Sequence, residues 1–276
     1  MSRRWSAPLA IAALGVGLFA AAGPAAAAPV ARPSGTTLAS PGGAFNGFDP
    51  GLPIIEAASG KLSQSGRERA TVNWSGYAKI GGRGAFRTVS ASWRQPAVTC
   101  RSVPHGHYQY AYFWVGLDGF TRTGVGRTVE QTGIGAECHG TTPSYFGWYD
   151  MYPVGAEAYS NTVRPGDLIS ASVTFNGGDA YTLVLKDRAR GWKNVKRFKH
   201  FPGRHRSSAE VITEAPGTPL ANFGKVRYLK AATSLPFTNA NAAKIIMEDA
   251  HGNQLDSTSA LLRRTGDFSI RWIRSN

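Results

Sequence analysis

The sequence predicts an all-β protein, a single antiparallel β-sandwich domain, on three observations. Short runs rich in Val, Ile, Thr, Tyr and Trp recur along the chain, each bounded by turn residues. The composition holds 33 Gly, 7 Trp and 10 Tyr with only 17% charged residues, which suits half-buried pleated surfaces. Long amphipathic helical windows are absent, and strands that follow one another without helices pair antiparallel.

The elements follow in order. Val72–Ala78 and Val89–Trp93 flank the Gly81-Gly82 turn, and Tyr108–Val115 and Arg127–Thr132 are the next two runs. Tyr145–Tyr152 precedes the Pro165-Gly166 turn, and Leu168–Phe175 and Ala180–Leu185 flank Asn176-Gly177-Gly178. Ala209–Thr213, Gly224–Leu229, Lys244–Met247 and Phe268–Ile273 complete the series. Alternation places Tyr108, Tyr110, Tyr112 and Trp114 on one face. By the same rule Val129, Gln131 and Gly133 share a face with Glu130 opposed, and Glu210, Ile212 and Glu214 share another. The apolar and aromatic content excludes a disordered chain, and the lack of heptads excludes a coiled coil.

The N-terminal 69 residues read differently from the rest. Arg3 and Arg4, the uncharged run Leu9–Ala22 and the small residues Ala26-Ala27-Ala28 read as a signal peptide over 1–28. The run is shorter than the roughly 20 residues a membrane span needs. Residues 29–69 are rich in Pro, Gly, Ser and Ala and read as a flexible leader, either a linker or a propeptide. The folded domain is expected over 70–276, secreted and extracellular, with nothing in the sequence beyond a monomer. In an oxidising compartment the two cysteines, Cys100 and Cys138, are expected to form one disulfide. A zinc site is the rival, but His105, His107 and His139 match no usual ligand spacing. No metal and no cofactor is expected.

Common catalytic signatures are missing. There is no G-x-S-x-G elbow, no H-E-x-x-H, no phosphate loop and no dinucleotide fingerprint. With both cysteines bonded, carboxylates, amides and aromatics are left to carry any chemistry.

Several segments, in order, resemble one family. They are Asn73-Trp74-Ser75-Gly76-Tyr77, Trp114-Val115-Gly116-Leu117-Asp118-Gly119, Glu130-Gln131-Thr132-Gly133 and Gly147-Trp148-Tyr149-Asp150-Met151-Tyr152-Pro153. Pro165-Gly166-Asp167-Leu168-Ile169, Ala209-Glu210-Val211-Ile212-Thr213-Glu214-Ala215-Pro216 and Leu220-Ala221-Asn222-Phe223-Gly224-Lys225-Val226 follow. This ordered set resembles the eqolisins, or glutamic peptidases. The resemblance implies two curved, concanavalin-like sheets packed as a sandwich, with a cleft on a concave face. It also implies an acid endopeptidase acting on protein or peptide substrates through a Gln–Glu pair, carried here by Gln131 and Glu214. Glu214 rather than Glu210 occupies the Ile-x-Glu position of the motif, and its separation from Gln131 fits the family better. On a regular strand Glu210 lies roughly 13 Å from Glu214, too far to share one water.

Softer roles follow from the same motifs. Trp114 and Trp74 are candidates to line the cleft, or are core tryptophans. Asp118 is a candidate to orient the pair, or is a turn residue before Gly119. Asp150 and Tyr152 are candidates for the cleft rim. Three departures from the family stand out: Gly135 replaces an acidic residue four positions after the glutamine, with Glu137 two further on, Met151 replaces an aromatic, and the third lies at Asn222. Asn222 also stands where an Asp is common.

Two other functions suit a β-sandwich. A non-catalytic, lectin-like glycan binder would use the aromatic face. A two-acid glycoside hydrolase needs carboxyls about 5–9.5 Å apart, which Glu210 and Glu214 do not offer on one strand. The formal charge of +14 concentrates locally, with nine bases and only Asp187 as an acid in Lys186–Arg206. No nucleic-acid recognition motif accompanies that segment, so nucleic acid is not an expected partner, nor is a membrane once the signal is removed. A solvated hairpin or an anionic partner would each account for it.

Overall fold

The computed structural model describes residues 68–101, 108–121, 124–216, 219–234, 237 and 242–275, with backbone only at 124–127. The expected signal peptide, most of the leader, His105 and His107 lie outside these residues. The described chain forms fifteen strands and no helix. They are β1 (Glu68–Thr71), β2 (Trp74–Ile80), β3 (Thr88–Arg94), β4 (Tyr108–Thr121) and β5 (Gly124–His139). Next come β6 (Thr142–Tyr152), β7 (Ala156–Thr162), β8 (Leu168–Gly177), β9 (Ala180–Asp187) and β10 (Trp192–Phe198). The last are β11 (Ser208–Glu214), β12 (Lys225–Thr233), β13 (Ala242–Met247), β14 (Asp256–Thr258) and β15 (Phe268–Trp272).

Two sheets pack face to face. The first has the order β1-β13-β2-β11-β4-β5-β6-β7, the second β10-β9-β8-β3-β12-β15-β14. All pairs are antiparallel except β1 with β13. In this pair, at the sheet edge, Glu68 stands opposite Lys244 with an ion pair of 2.7 Å between them. The first described residue of β1, Glu68, stands two residues ahead of position 70, where the folded domain is expected to start.

Alternation divides the first sheet into two working faces. Phe113, Val115, Ile134, Ala209 and Val211 enter the core between the sheets, against Trp93, Val173, Leu183 and Tyr228. Trp74, Tyr112, Trp114, Trp148 and Ile212 form a second buried cluster on the opposite face. Cys100 and Cys138 are bonded, with Cα atoms 5.4 Å apart, which ties the chain before β4 to the end of β5. On the chain-entropy account, closing 38 residues stabilises the fold by about 4 kcal/mol.

Candidate active site

Register places the predicted residues in three rows that run across the first sheet. One row is Trp74, Glu214, Tyr112, Gly135 and Phe146. The next is Gly76, Ile212, Trp114, Gly133 and Trp148. The third is Ala78, Glu210, Gly116, Gln131 and Asp150. All three rows lie on the face away from the core between the sheets.

Glu214 and Trp114 are joined directly, for the indole Nε1 donates to Glu214 Oε2 at 2.8 Å. Trp74 packs its ring edge-on to Trp114, with centroids 4.8 Å apart, and stands opposite Glu214 in register. Both indoles are fully buried. Gln131 pairs instead with Asp150, its Nε2 donating to Asp150 Oδ2 at 3.1 Å. Asp150, fully buried, thereby orients the amide of Gln131. A Cβ at Gly116 would lie 3.3 Å from the Gln131 Cβ and 3.0 Å from the Trp114 ring, so glycine there keeps the space beside the amide.

Asp118 sits at a positive φ of 63°, where β4 breaks register with β5. Its carboxylate accepts from Arg206 N at 2.6 Å and Ser207 N at 2.8 Å, the two residues that lead into β11. Asp118 therefore anchors the entry to the strand that carries Glu214. Tyr152 is half-buried at the end of β6, with a cis peptide bond to Pro153. Its carbonyl and that of Met151 accept from Arg204 Nη2 at 3.3 and 3.1 Å. The same guanidinium lies 2.9 Å from Glu130, on the other face of β5.

Sequence reasoning missed three features of this face. Gln131 shares its row with Glu210, while Glu214 lies two rows along. Both oxygens of Asp118 are occupied by backbone amides. Tyr112 donates its hydroxyl to Glu137. The last bears on the Gly135 departure: a Cβ there would meet Phe146 at 2.6 Å and Tyr112 at 2.9 Å, so two rings fill the place an acidic side chain would need. Counting register from the two long strands β4 and β5 would have found the rows, but their lengths were underestimated.

The two glutamates of β11 differ in electrostatics. Glu210 is fully buried, and burial pushes its carboxyl well above the ordinary range, with the charges of Asp118 and Glu130 adding to the effect and Ser208 opposing it. It is held as the neutral acid. Glu214 is just as fully buried and differs in receiving the Trp114 N–H on its carboxyl, a contact that supports the charged form. Among the described residues, no group of three or more His, Cys, Asp or Glu side chains is placed to hold a metal ion.

The fold and this face define a β-sandwich whose polar chemistry rests on an amide and carboxyl groups set among buried tryptophans. The chain belongs to the peptidase A4 family, whose family model matches residues 72–272. It is a glutamic peptidase by that membership, and the lectin-like alternative is not favoured. Among solved structures it is similar to scytalido-glutamic peptidase bound to a transition-state analog inhibitor, at 23% identity and a TM-score of 0.61, covering 73% of this chain and 98% of that one. It is similar to SCP-B, an eqolisin family member in complex with the tripeptide Ala-Ile-His, at 23% identity, a TM-score of 0.59 and the same coverage, 73% and 98%. Aspergilloglutamic peptidase from Aspergillus niger follows at 23% identity and a TM-score of 0.51, covering 60% of this chain and 99% of that one. No curated protein matches the chain.

Proposed function

We propose that the chain is a secreted, monomeric endopeptidase that hydrolyses peptide bonds of protein substrates at acidic pH through Gln131 and Glu214. The Glu214 carboxylate takes a proton from water as the water oxygen bonds to the scissile carbonyl carbon. The carbonyl oxygen becomes an oxyanion, to which Gln131 donates one amide N–H while the other is held by Asp150. The intermediate collapses, the C–N bond breaks, and Glu214 returns the proton to the leaving amine.

The observation that carries this reading is the Trp114 donor on Glu214. A donor of this kind supports the carboxylate form of Glu214, whereas burial and the neighbouring acids push the Glu210 carboxyl up and favour its neutral form. An ordinary Glu titrates near pH ~4.3, so cleavage of a denatured protein is expected at about pH 3–5. Glu214→Gln should lose roughly 10³-fold or more in kcat/KM, and Gln131→Ala roughly 10²–10³-fold. Glu210→Gln should stay within a few-fold of the parent. Loss of cleavage in Glu210→Gln, with Glu214→Gln active, would move the base to Glu210 and sink the assignment.

We also propose that 1–28 is a signal peptide and that the leader after it is removed by processing ahead of β1, whose first residue is Glu68. The Glu68–Lys244 ion pair favours a cut ahead of β1 over one at Arg69. N-terminal sequencing of protein recovered outside the cell checks this. A start at Met1 would refute it.

A further inference from the structure

We propose that the outer face of the second sheet is a docking surface for a carboxylated polysaccharide. The proposal is independent of the peptidase mechanism and begins from a charge difference between the two layers. The strands of the first sheet carry eight Asp and Glu against four Lys and Arg. Those of the second carry nine Lys and Arg against two acids, Asp187 and Asp256. Both of these acids are buried, at 1% and 0% exposure, and face inward.

The basic segment 186–206 supplies much of this charge, and the fold sorts it. Arg190 pairs with Asp167 at 2.7 Å, Arg204 with Glu130 at 2.9 Å, and Arg206 lies over Phe175. Lys196 turns inward over Tyr149. Lys186, Lys193 and Arg197 point outward from β9 and β10, and none of them forms an ion pair among the described residues. Lys193 and Arg197 are exposed.

Register lays these cations at the ends of hydroxyl rows. One row runs Ser92, Ser170, Lys186, Lys193, and its two serine Oγ atoms are 2.8 Å apart. A second runs Thr88, Thr174, Thr182, Arg197. Four strands at about 4.8 Å spacing make each row about 14 Å long. The outward positions of these strands hold no acid and no aromatic. The row between them, Ser90, Ser172, Val184 and Val195, ends in two small aliphatics, and the flanking rows of hydroxyls ending in cations match a polymer bearing both hydroxyls and carboxylates. This face has no ring on which an unpaired base would stack and no apolar anchor of the kind that centres protein interfaces.

The test uses the full purified chain and polygalacturonate, with dextran and a single-stranded oligonucleotide as comparisons, in about 0.1 M salt. Polygalacturonate is expected to bind, dextran not, and the oligonucleotide more weakly. Binding should fade as pH falls through the carboxyl range and as salt rises. Lys186→Glu/Lys193→Glu/Arg197→Glu should weaken it roughly tenfold or more. The equal charge change Arg83→Glu/Arg263→Glu/Arg264→Glu, at exposed sites off the face, should leave it within about threefold. Both variants should keep the parent's unfolding midpoint. Should the first fail to fold, Lys186→Gln/Lys193→Gln/Arg197→Gln carries the same prediction with a smaller loss. Equal weakening by the two triple variants, tighter binding of the oligonucleotide, or no retention of polygalacturonate would each overturn the proposal.

Discussion

Trp114 shows how one side chain serves structure and chemistry together. Its ring fills the face between Trp74 and Gly133, and its single N–H is spent on Glu214. A donor to a carboxylate contributes roughly 1.5–3 kcal/mol to the ionised form. Trp114→Phe keeps most of the apolar contact and removes the donor, so the Glu214 carboxyl should bind its proton more tightly. The acid limb of kcat/KM against pH should then move upward by about 1–2 units. A purely structural role would lower the rate at all pH values without moving that limb, and such a result would refute the coupling.

At the scale of the element, β11 is the piece that has to be placed, and Asp118 places it. Its two backbone hydrogen bonds fix Arg206 and Ser207 just before the strand begins. Asp118→Ala would leave both amides without that carboxylate and should cost about 2–4 kcal/mol, read from urea unfolding. No loss of stability would show the clamp to be incidental. This contact was not legible in the sequence, because it joins residues 88 positions apart through a loop with no periodicity. The strands themselves were legible, since alternation is a local property: the face shared by Tyr110, Tyr112 and Trp114, and the opposition of Glu130 to Gln131, follow from it directly. Strand β10 is harder to read, with three bases in seven residues that suit a solvated hairpin or an anionic partner alike. Pairing with β9 holds it in the sheet despite its charge. The catalytic candidates were found through motif resemblance, while the pairing of Gln131 with Asp150 needed a register that only the folded chain supplies.

For the whole molecule, acid conditions bear on stability as well as on chemistry. Burial pushes the Asp256 carboxyl up to about 7, against hydrogen bonds from Ser75 and the Met247 amide. Unfolded, the same group titrates near ~3.9. The native state therefore holds a proton that the unfolded chain releases. This contribution is full below about pH 4 and is lost as pH rises through about 7, at about 1.4 kcal/mol per unit. Glu210 acts in the same direction. The protein should unfold at a higher temperature at pH 5 than at pH 8, and Asp256→Asn should narrow that gap. An unchanged gap in the variant would show that Asp256 is not its source.

Strand β11 sends Ala209 and Val211 into the packing between the sheets and Glu210, Ile212 and Glu214 to the other side. A single-residue insertion or deletion in this strand would exchange the two sets, putting carboxylates into oil and aliphatics into the site. Variation that preserves the enzyme is therefore confined to substitutions within a fixed frame and to the loops at the strand ends. New substrate preferences would have to arise there, because the wall that holds the chemistry is also a wall of the core and has no freedom to shift.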